Sequence, residues 1–234
     1  MQRPPVSLSA ATSTYLPVSL SIETAKSSMS TKENTVSTQE NTAPNLNAHH
    51  EGETVLMLID VINDLEFVDG DLLLEHALPM AERIADLKLR AKAAKIPVIY
   101  SNDNFGQWRS DRSNLVRHCL EDGVRGEPVV RLLKPDEDDF FVLKPKHSGF
   151  YLTTLDLLLR YLGAKKLIIT GMAGDICVLF TANDAYMRDF ELHIPADCVA
   201  SNTVEFNERA LQIMERALKA DIRPSTELDL NELI

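Results

Sequence analysis

From Thr54 onward, short apolar runs alternate with segments whose apolar residues recur at spacings of three and four, and few kinds of chain fit that alternation. The runs are Val55-Leu-Met-Leu-Ile59, Pro97-Val-Ile-Tyr100, Phe140-Phe-Val-Leu143, Leu167-Ile-Ile-Thr170 and residues 191–195, with a short sixth near 221–223. The first is apolar at every position, as in a strand covered on both faces of a parallel sheet. Between the runs, helices are predicted at 79–94, with Met80, Ile84, Leu87 and Ala91 on one face, and at 113–120. Further helices are predicted at 154–162, opened by Thr153 and Asp156 and closed by Gly163, at 176–188 and at 204–219. Such alternation implies an α/β fold, a doubly wound, three-layer α/β/α and Rossmann-like arrangement around a mostly parallel sheet. Polar connections through Gly106, Trp108 and Arg109, and through Gly123, Gly126 and Pro128, are long enough to be functional loops.

Residues 1–52 are rich in Ser, Thr, Asn and Pro and show neither period, so a disordered tail is expected, followed by one domain over 53–234. Arg3 and the Ser/Thr content hint at a transit peptide, but Glu23, Glu33, Glu40 and Glu51 oppose it, and Met29 offers an internal start. A formal charge of -11 argues against nucleic-acid or anionic-membrane partners and for a small-molecule substrate. Cys119, Cys177 and Cys198 are odd in number and lack C-x-x-C spacing, which fits a reducing, cytoplasmic setting. No apolar stretch approaches the roughly 20 residues that cross a bilayer.

The stretch Gly171-Met-Ala-Gly-Asp-Ile-Cys-Val178 reads as strand end, turn and helix start. With Asp175 as N-cap, Cys177 falls in the first helical turn, where unpaired amides and the helix dipole favour a thiolate. A lone cysteine is more often a small buried hydrophobe. Asp60 and Lys144, however, also stand at the ends of predicted strands, and in parallel sheets such ends share one ligand crevice. Taken singly, Asp60 is a turn cap and Lys144 a solvated cation; together with Cys177 they make a nucleophile with a base and a charge stabiliser. Asp60 would take the thiol proton, Lys144 would stabilise the anion, and Asp60 would protonate the leaving amine before activating a water. Backbone amides in the turn would hold the oxyanion, each worth ~3 to 4 kcal/mol of barrier.

At these residues the sequence resembles the isochorismatase-like cysteine hydrolase superfamily, over roughly 54–220. The likeness rests on Leu58-Ile-Asp-Val-Ile-Asn-Asp64, on Leu143-Lys-Pro-Lys-His-Ser-Gly-Phe150 followed by Thr154 and Leu155, and on the Cys177 stretch. It implies a six-stranded sheet in the order 3-2-1-4-5-6, a catalytic triad of Asp60, Lys144 and Cys177, and a homo-oligomer. It also implies a non-proline cis peptide at Met172–Ala173 and an oxyanion hole from the amides of Ala173 and Cys177. Gly174 and Gly149 depart from the Thr or Ala and the Ala usual there, which widens the possible pocket shapes. Nicotinamidases in the superfamily hold a metal through an Asp and two His after the second strand; here Asp103 has no nearby His, so neither metal nor cofactor is expected. His118 and His147 read as structural or surface histidines, and His49 and His50 lie in the tail. Substrate selection is expected from Asn63, Phe67, Asn104, Phe105, Trp108, Phe150 and Tyr151, an aromatic wall with a few amides. The implied activity is hydrolysis of a C–N bond in a small amide or ureide through a thioester. The alternatives are isochorismatase-type hydrolysis of a vinyl ether and a non-catalytic, small-molecule-binding member of the fold.

Overall fold

The computed structural model describes residues 52–104 and 111–234. The expected tail, and Phe105 and Trp108 of the expected aromatic wall, lie outside the described residues.

Strand β1, Thr54–Ile59, is buried along its whole length. Because successive side chains of a strand point to opposite faces, Leu56 and Leu58 enter one hydrophobic core while Val55, Met57 and Ile59 enter another. That division explains a run with no polar position. β2 (Val98–Asp103), β3 (Phe140–Lys144), β4 (Lys166–Met172) and β5 (Glu191–His193) lie parallel to it in the order β3-β2-β1-β4-β5. A sixth strand, β6 (Val199–Ala200), pairs in parallel with the end of β4. The strand expected at 221–223 shrinks to one bridge, Asp221 with His193 on β5. The Asp221 carboxylate accepts from the Arg223 amide at 3.1 Å and so bends the chain away from the sheet.

Helix α1, Gly70–Ala93, starts nine residues before the predicted 79 and carries Pro79 inside it. Leu73 and Ala77 extend the buried stripe of Met80, Ile84 and Leu87, and their burial outweighs the one hydrogen bond lost at the exposed Pro79. α2 (Arg112–Glu121) is capped by Asp111, whose side chain accepts from the Asn114 amide at 2.8 Å. α3 (Glu127–Leu132) occupies a stretch expected to be irregular; Pro128 sits in its first turn, where a missing N–H does no harm. α4 (Leu155–Tyr161) has Thr154 at its N-cap without a side-chain bond, and the expected capping box does not form. Asp156 pairs with Arg160 at 2.8 Å and Arg188 at 3.5 Å instead. α5 (Leu179–Tyr186), α6 (Val204–Leu218) and α7 (Leu230–Leu233) complete the helices of the described residues.

α1, α2, α3 and α7 supply one core and α4, α5 and α6 the other, giving three layers. No helix among the described residues is long and apolar enough to cross a membrane. The strands run parallel, so Asp60, Lys144 and Met172 emerge along one edge of the sheet. The connection order reverses between β1 and β4, where such folds open a crevice.

Candidate active site

Asp60 leaves β1 with φ 53, in the left-handed region that Asp tolerates better than most residues, and its amide donates to Ser101 O on β2 at 3.0 Å. Its carboxylate is gripped on both oxygens: Oδ1 accepts from the Asp103 amide at 2.6 Å, and Oδ2 lies 2.8 Å from Lys144 Nζ. Lys144, at the end of β3, has no exposed surface. Its ammonium lies 3.7 Å from Asp103 Oδ2 and donates to Cys177 Sγ at 3.5 Å. Acid, cation and thiol, spread over more than a hundred positions of the chain, are thus in mutual contact.

The turn that carries the thiol is shaped by two glycines. Gly171 has φ 112, and a Cβ there would lie 2.1 Å from Ile59 O, so only glycine lets β4 end this close to β1. The next peptide, Met172–Ala173, is cis. Residues Gly174–Val178 then form a single π-helical turn in which Ala173 O accepts from the Ile176 and Val178 amides, both at 3.1 Å. Asp175 is not the N-cap; Ala173 takes that position in extended conformation. The Asp175 amide instead donates to Ser201 Oγ at 3.2 Å, Ser201 Oγ donates to Asn207 Oδ1 at 3.3 Å, and Asn207 Nδ2 donates to Val199 O at 3.0 Å. Gly174 is pressed onto this brace: a Cβ would fall 2.4 Å from Asn207 Oδ1 and 2.7 Å from Val199 Cγ1. Ala173 and Cys177, the expected oxyanion donors, stand at the entry and in the body of this turn.

Burial pushes the Asp60 carboxyl above the usual carboxylate range, against the pull of Lys144 and of hydrogen bonds from Cys177, Lys144 and the Asp103 amide. Burial also works against the Lys144 charge, but Asp60, Cys177 and Asp103 outweigh it and hold the ammonium more firmly than in water. For Cys177, burial pushes the thiol up, Asp60 adds to that, and Lys144 only partly opposes it. Burial and Asp60 thus favour the thiol form of Cys177, opposite in direction to the helix start. Desolvation and the Asp60 charge outweigh what one π-helical turn offers an anion. Attack by such a sulfur needs its proton removed on the way, and the Asp60 carboxylate is hydrogen-bonded to it.

Two further groups belong to this cluster. Asp103 ends β2 in register with Lys144; the apolar run stops at Tyr100, three residues short, so strand-end reasoning on the sequence does not bring Asp103 into the cluster. His147, set aside as a surface or structural residue, is exposed, yet its Nδ1 lies 3.9 Å from Cys177 Sγ and its ring rests against Phe180, centroids 5.3 Å apart. Its signal was its place three residues after Lys144, in the turn that leaves β3.

The expected substrate-binding residues divide. Asn63 is buried and its Oδ1 accepts from the Leu65 amide at 2.9 Å, bracing the connection after β1. Asn104 is buried with its amide donating to Lys144 O at 3.2 Å. Phe67 and Tyr151 are exposed. Phe150 packs in the second core, 6.2 Å from the Phe190 ring and beneath the Arg188 guanidinium at 4.6 Å, which makes it a wall of the core. Among the described residues the one group with metal-ligand spacing is Asp136, Asp138 and Asp139. Those carboxylates are held by Lys88 and Lys92 at 2.6 to 3.6 Å, and Asp103 lies 3.7 Å from the Lys144 ammonium.

Residues 54–223 match the profile of the isochorismatase domain family. The chain belongs to the isochorismatase family. Within it, the chain is 43% identical over 172 residues to the uncharacterized isochorismatase family protein YaaI of Bacillus subtilis, covering 74% of this chain and 94% of that one. It is 30% identical over 162 residues to the ureidoacrylate amidohydrolase RutB of Methylorubrum extorquens, covering 58% of this chain and 65% of RutB. Among solved structures, an isochorismatase family protein from Desulfovibrio vulgaris superposes with a TM-score of 0.62 at 25% identity, covering 77% of this chain and 97% of that one. The isochorismatase-like hydrolase fold thus accounts for everything from β1 to the bridge at Asp221.

Proposed function

We propose that the protein is a cysteine-dependent hydrolase that cleaves a C–N bond of a small amide or ureide through a thioester on Cys177. One observation carries this reading: a fully buried ammonium, Lys144 Nζ, lies 2.8 Å from the Asp60 carboxylate and 3.5 Å from the Cys177 sulfur. In the first half-reaction Asp60 takes the thiol proton as sulfur bonds to the carbonyl carbon. The oxyanion then collapses, the C–N bond breaks, and the departing nitrogen takes that proton from Asp60. In the second half a water attacks the thioester, gives a proton to Asp60, and the sulfur leaves and recovers it. Lys144 keeps its proton throughout and offsets the charge that passes between Asp60 and sulfur. The similarity to an amidohydrolase supports C–N chemistry.

The upward push that burial gives the Cys177 thiol supports a second reading, isochorismatase-type hydrolysis of a vinyl ether in which Cys177 forms no covalent bond. Cys177→Ala separates the two. Tested on a panel of small amides, ureides and isochorismate, it should release neither ammonia nor amine while keeping the wild-type circular dichroism and thermal midpoint. Full turnover by the variant of any substrate the wild type hydrolyses rejects the covalent mechanism.

A further inference from the structure

An acyl group bound to Cys177 has three sides to face. Lys144 and Asp60 fill the buried side, and the leaving nitrogen must go there to collect its proton. The turn from Ala173 to Cys177 is the backbone side, where the oxyanion is expected. Among the described residues, the group on the solvent side is His147, whose Nδ1 lies 3.9 Å from the sulfur. The third substituent of the acyl carbon, the one that stays attached after the C–N bond breaks, is therefore the one that meets the imidazole. That substituent atom is two bonds from sulfur, in the shell where a group 3.9 Å from the same sulfur comes within hydrogen-bonding reach. His147 does not hang loose in solvent: its ring is propped on Phe180, which lies one turn beyond Cys177 along the same helical segment.

We propose that His147 selects ureides over plain carboxamides, by accepting at Nδ1 a hydrogen bond from the N–H that a ureide carries where a carboxamide has carbon. This rests on the amide and ureide reading above and narrows its substrate class. With Nδ1 as acceptor, the ring proton resides on Nε2. A methylene in place of that N–H leaves Nδ1 facing hydrocarbon, so a carboxamide loses one hydrogen bond and strands an acceptor. The chemistry balances without any further reactant. Sulfur bonds to the ureido carbon, one C–N bond breaks and its nitrogen leaves as ammonia with the proton from Asp60. The S-carbamoyl group is then hydrolysed by water to a carbamic acid, which loses carbon dioxide and leaves the amine.

The test compares isosteric pairs that differ only at that atom, methylurea with propanamide and benzylurea with hydrocinnamamide, by ammonia release from the full-length wild type, His147→Phe and His147→Asn. Ureas are intrinsically less reactive than carboxamides, so the readout is how the ureide-to-carboxamide ratio of kcat/KM changes between variants. The His147→Phe ratio should fall about tenfold, the worth of one neutral hydrogen bond, whereas His147→Asn, whose Oδ1 takes the place of Nδ1, should stay within about threefold of wild type. An unchanged ratio in His147→Phe, with both compound classes still hydrolysed in a Cys177-dependent manner, overturns the role of His147 and leaves the hydrolase reading standing. No ammonia from either class with the wild type overturns the amide and ureide reading, and the role of His147 falls with it.

Discussion

Asp60→Asn keeps the size of the side chain and an oxygen for the Asp103 amide, and removes one negative charge from beside Lys144 and Cys177. Two unit charges about 4 Å apart interact by roughly 4 kcal/mol at an effective dielectric of about 20. The remaining Asp103 carboxylate and local relaxation absorb much of that, but a third of it, about 1.4 kcal/mol, already moves the thiol down by about one pH unit. Below its pKa a thiol gains about tenfold in thiolate for each such unit, so Cys177 should alkylate about tenfold faster in the variant. Turnover should move the other way, falling about 10² to 10⁴-fold with the loss of the general base. The assay is the rate of iodoacetamide labelling at each cysteine, followed by peptide mass spectrometry at constant pH. Cys119 and Cys198 serve as controls, since both are fully buried with thiols pushed up to about 12. Labelling of Cys177 that is unchanged or slower in Asp60→Asn would refute the electrostatic account of the site, and retained turnover would remove Asp60 from the reaction.

Lys144→Met leaves the Asp60 carboxylate buried without its cation, and urea denaturation should show a loss of about 3 to 5 kcal/mol near neutral pH. Without Lys144 the folded state holds the Asp60 proton still more tightly than the unfolded chain does. The variant should therefore be most stable in acid and lose stability as pH rises through the raised Asp60 pKa. Gly174→Ala forces a methyl against Asn207 and Val199, and should cost about 1 to 3 kcal/mol while lowering kcat more than it changes KM, because the displaced turn carries the sulfur. Hydrogen bonds that His118 donates to the Asp122 and Asp64 carboxylates hold its pKa above 6.5, against the opposing effect of desolvation. The stability this adds is complete below the unfolded value and fades as pH rises through the folded one, so the urea midpoint should decline over that window in the wild type and not in His118→Gln.

Where the sequence was read through backbone periodicity, it was legible. β1, β3, β4 and the helix of Val204–Leu218 lie within a residue or two of the predicted spans, because an apolar run or stripe has one way to be buried, whereas β2 runs on three polar residues beyond the predicted Tyr100. The early start of α1 was hidden by Pro79, which reads as a helix opening although the stripe continues through Ala77 and Leu73. α3 was hidden by Gly126 and Pro128, residues that mark loops in isolation and a helix start in combination. At the site, strand ends alone led to three of the contacting side chains, because parallel strands deliver their last residues to one rim. His147 stayed out of sight because it stands beyond a strand end, in a turn whose path the sequence does not dictate. The opposing influences on the Cys177 thiol differ in the same way: dipole and capping are local and readable, whereas desolvation depends on everything packed around the sulfur.

Contact among Asp60, Lys144 and Cys177 matters only if the sulfur becomes covalently acylated. The direct measurement is rapid-quench mass spectrometry of the Cys177 peptide, with enzyme in excess over a hydrolysable amide or ureide. A transient mass gain equal to the acyl group is expected, confined to Cys177, forming and decaying at rates consistent with kcat. Substrate consumed at the wild-type rate while the Cys177 peptide keeps its unmodified mass at every quench time would contradict it.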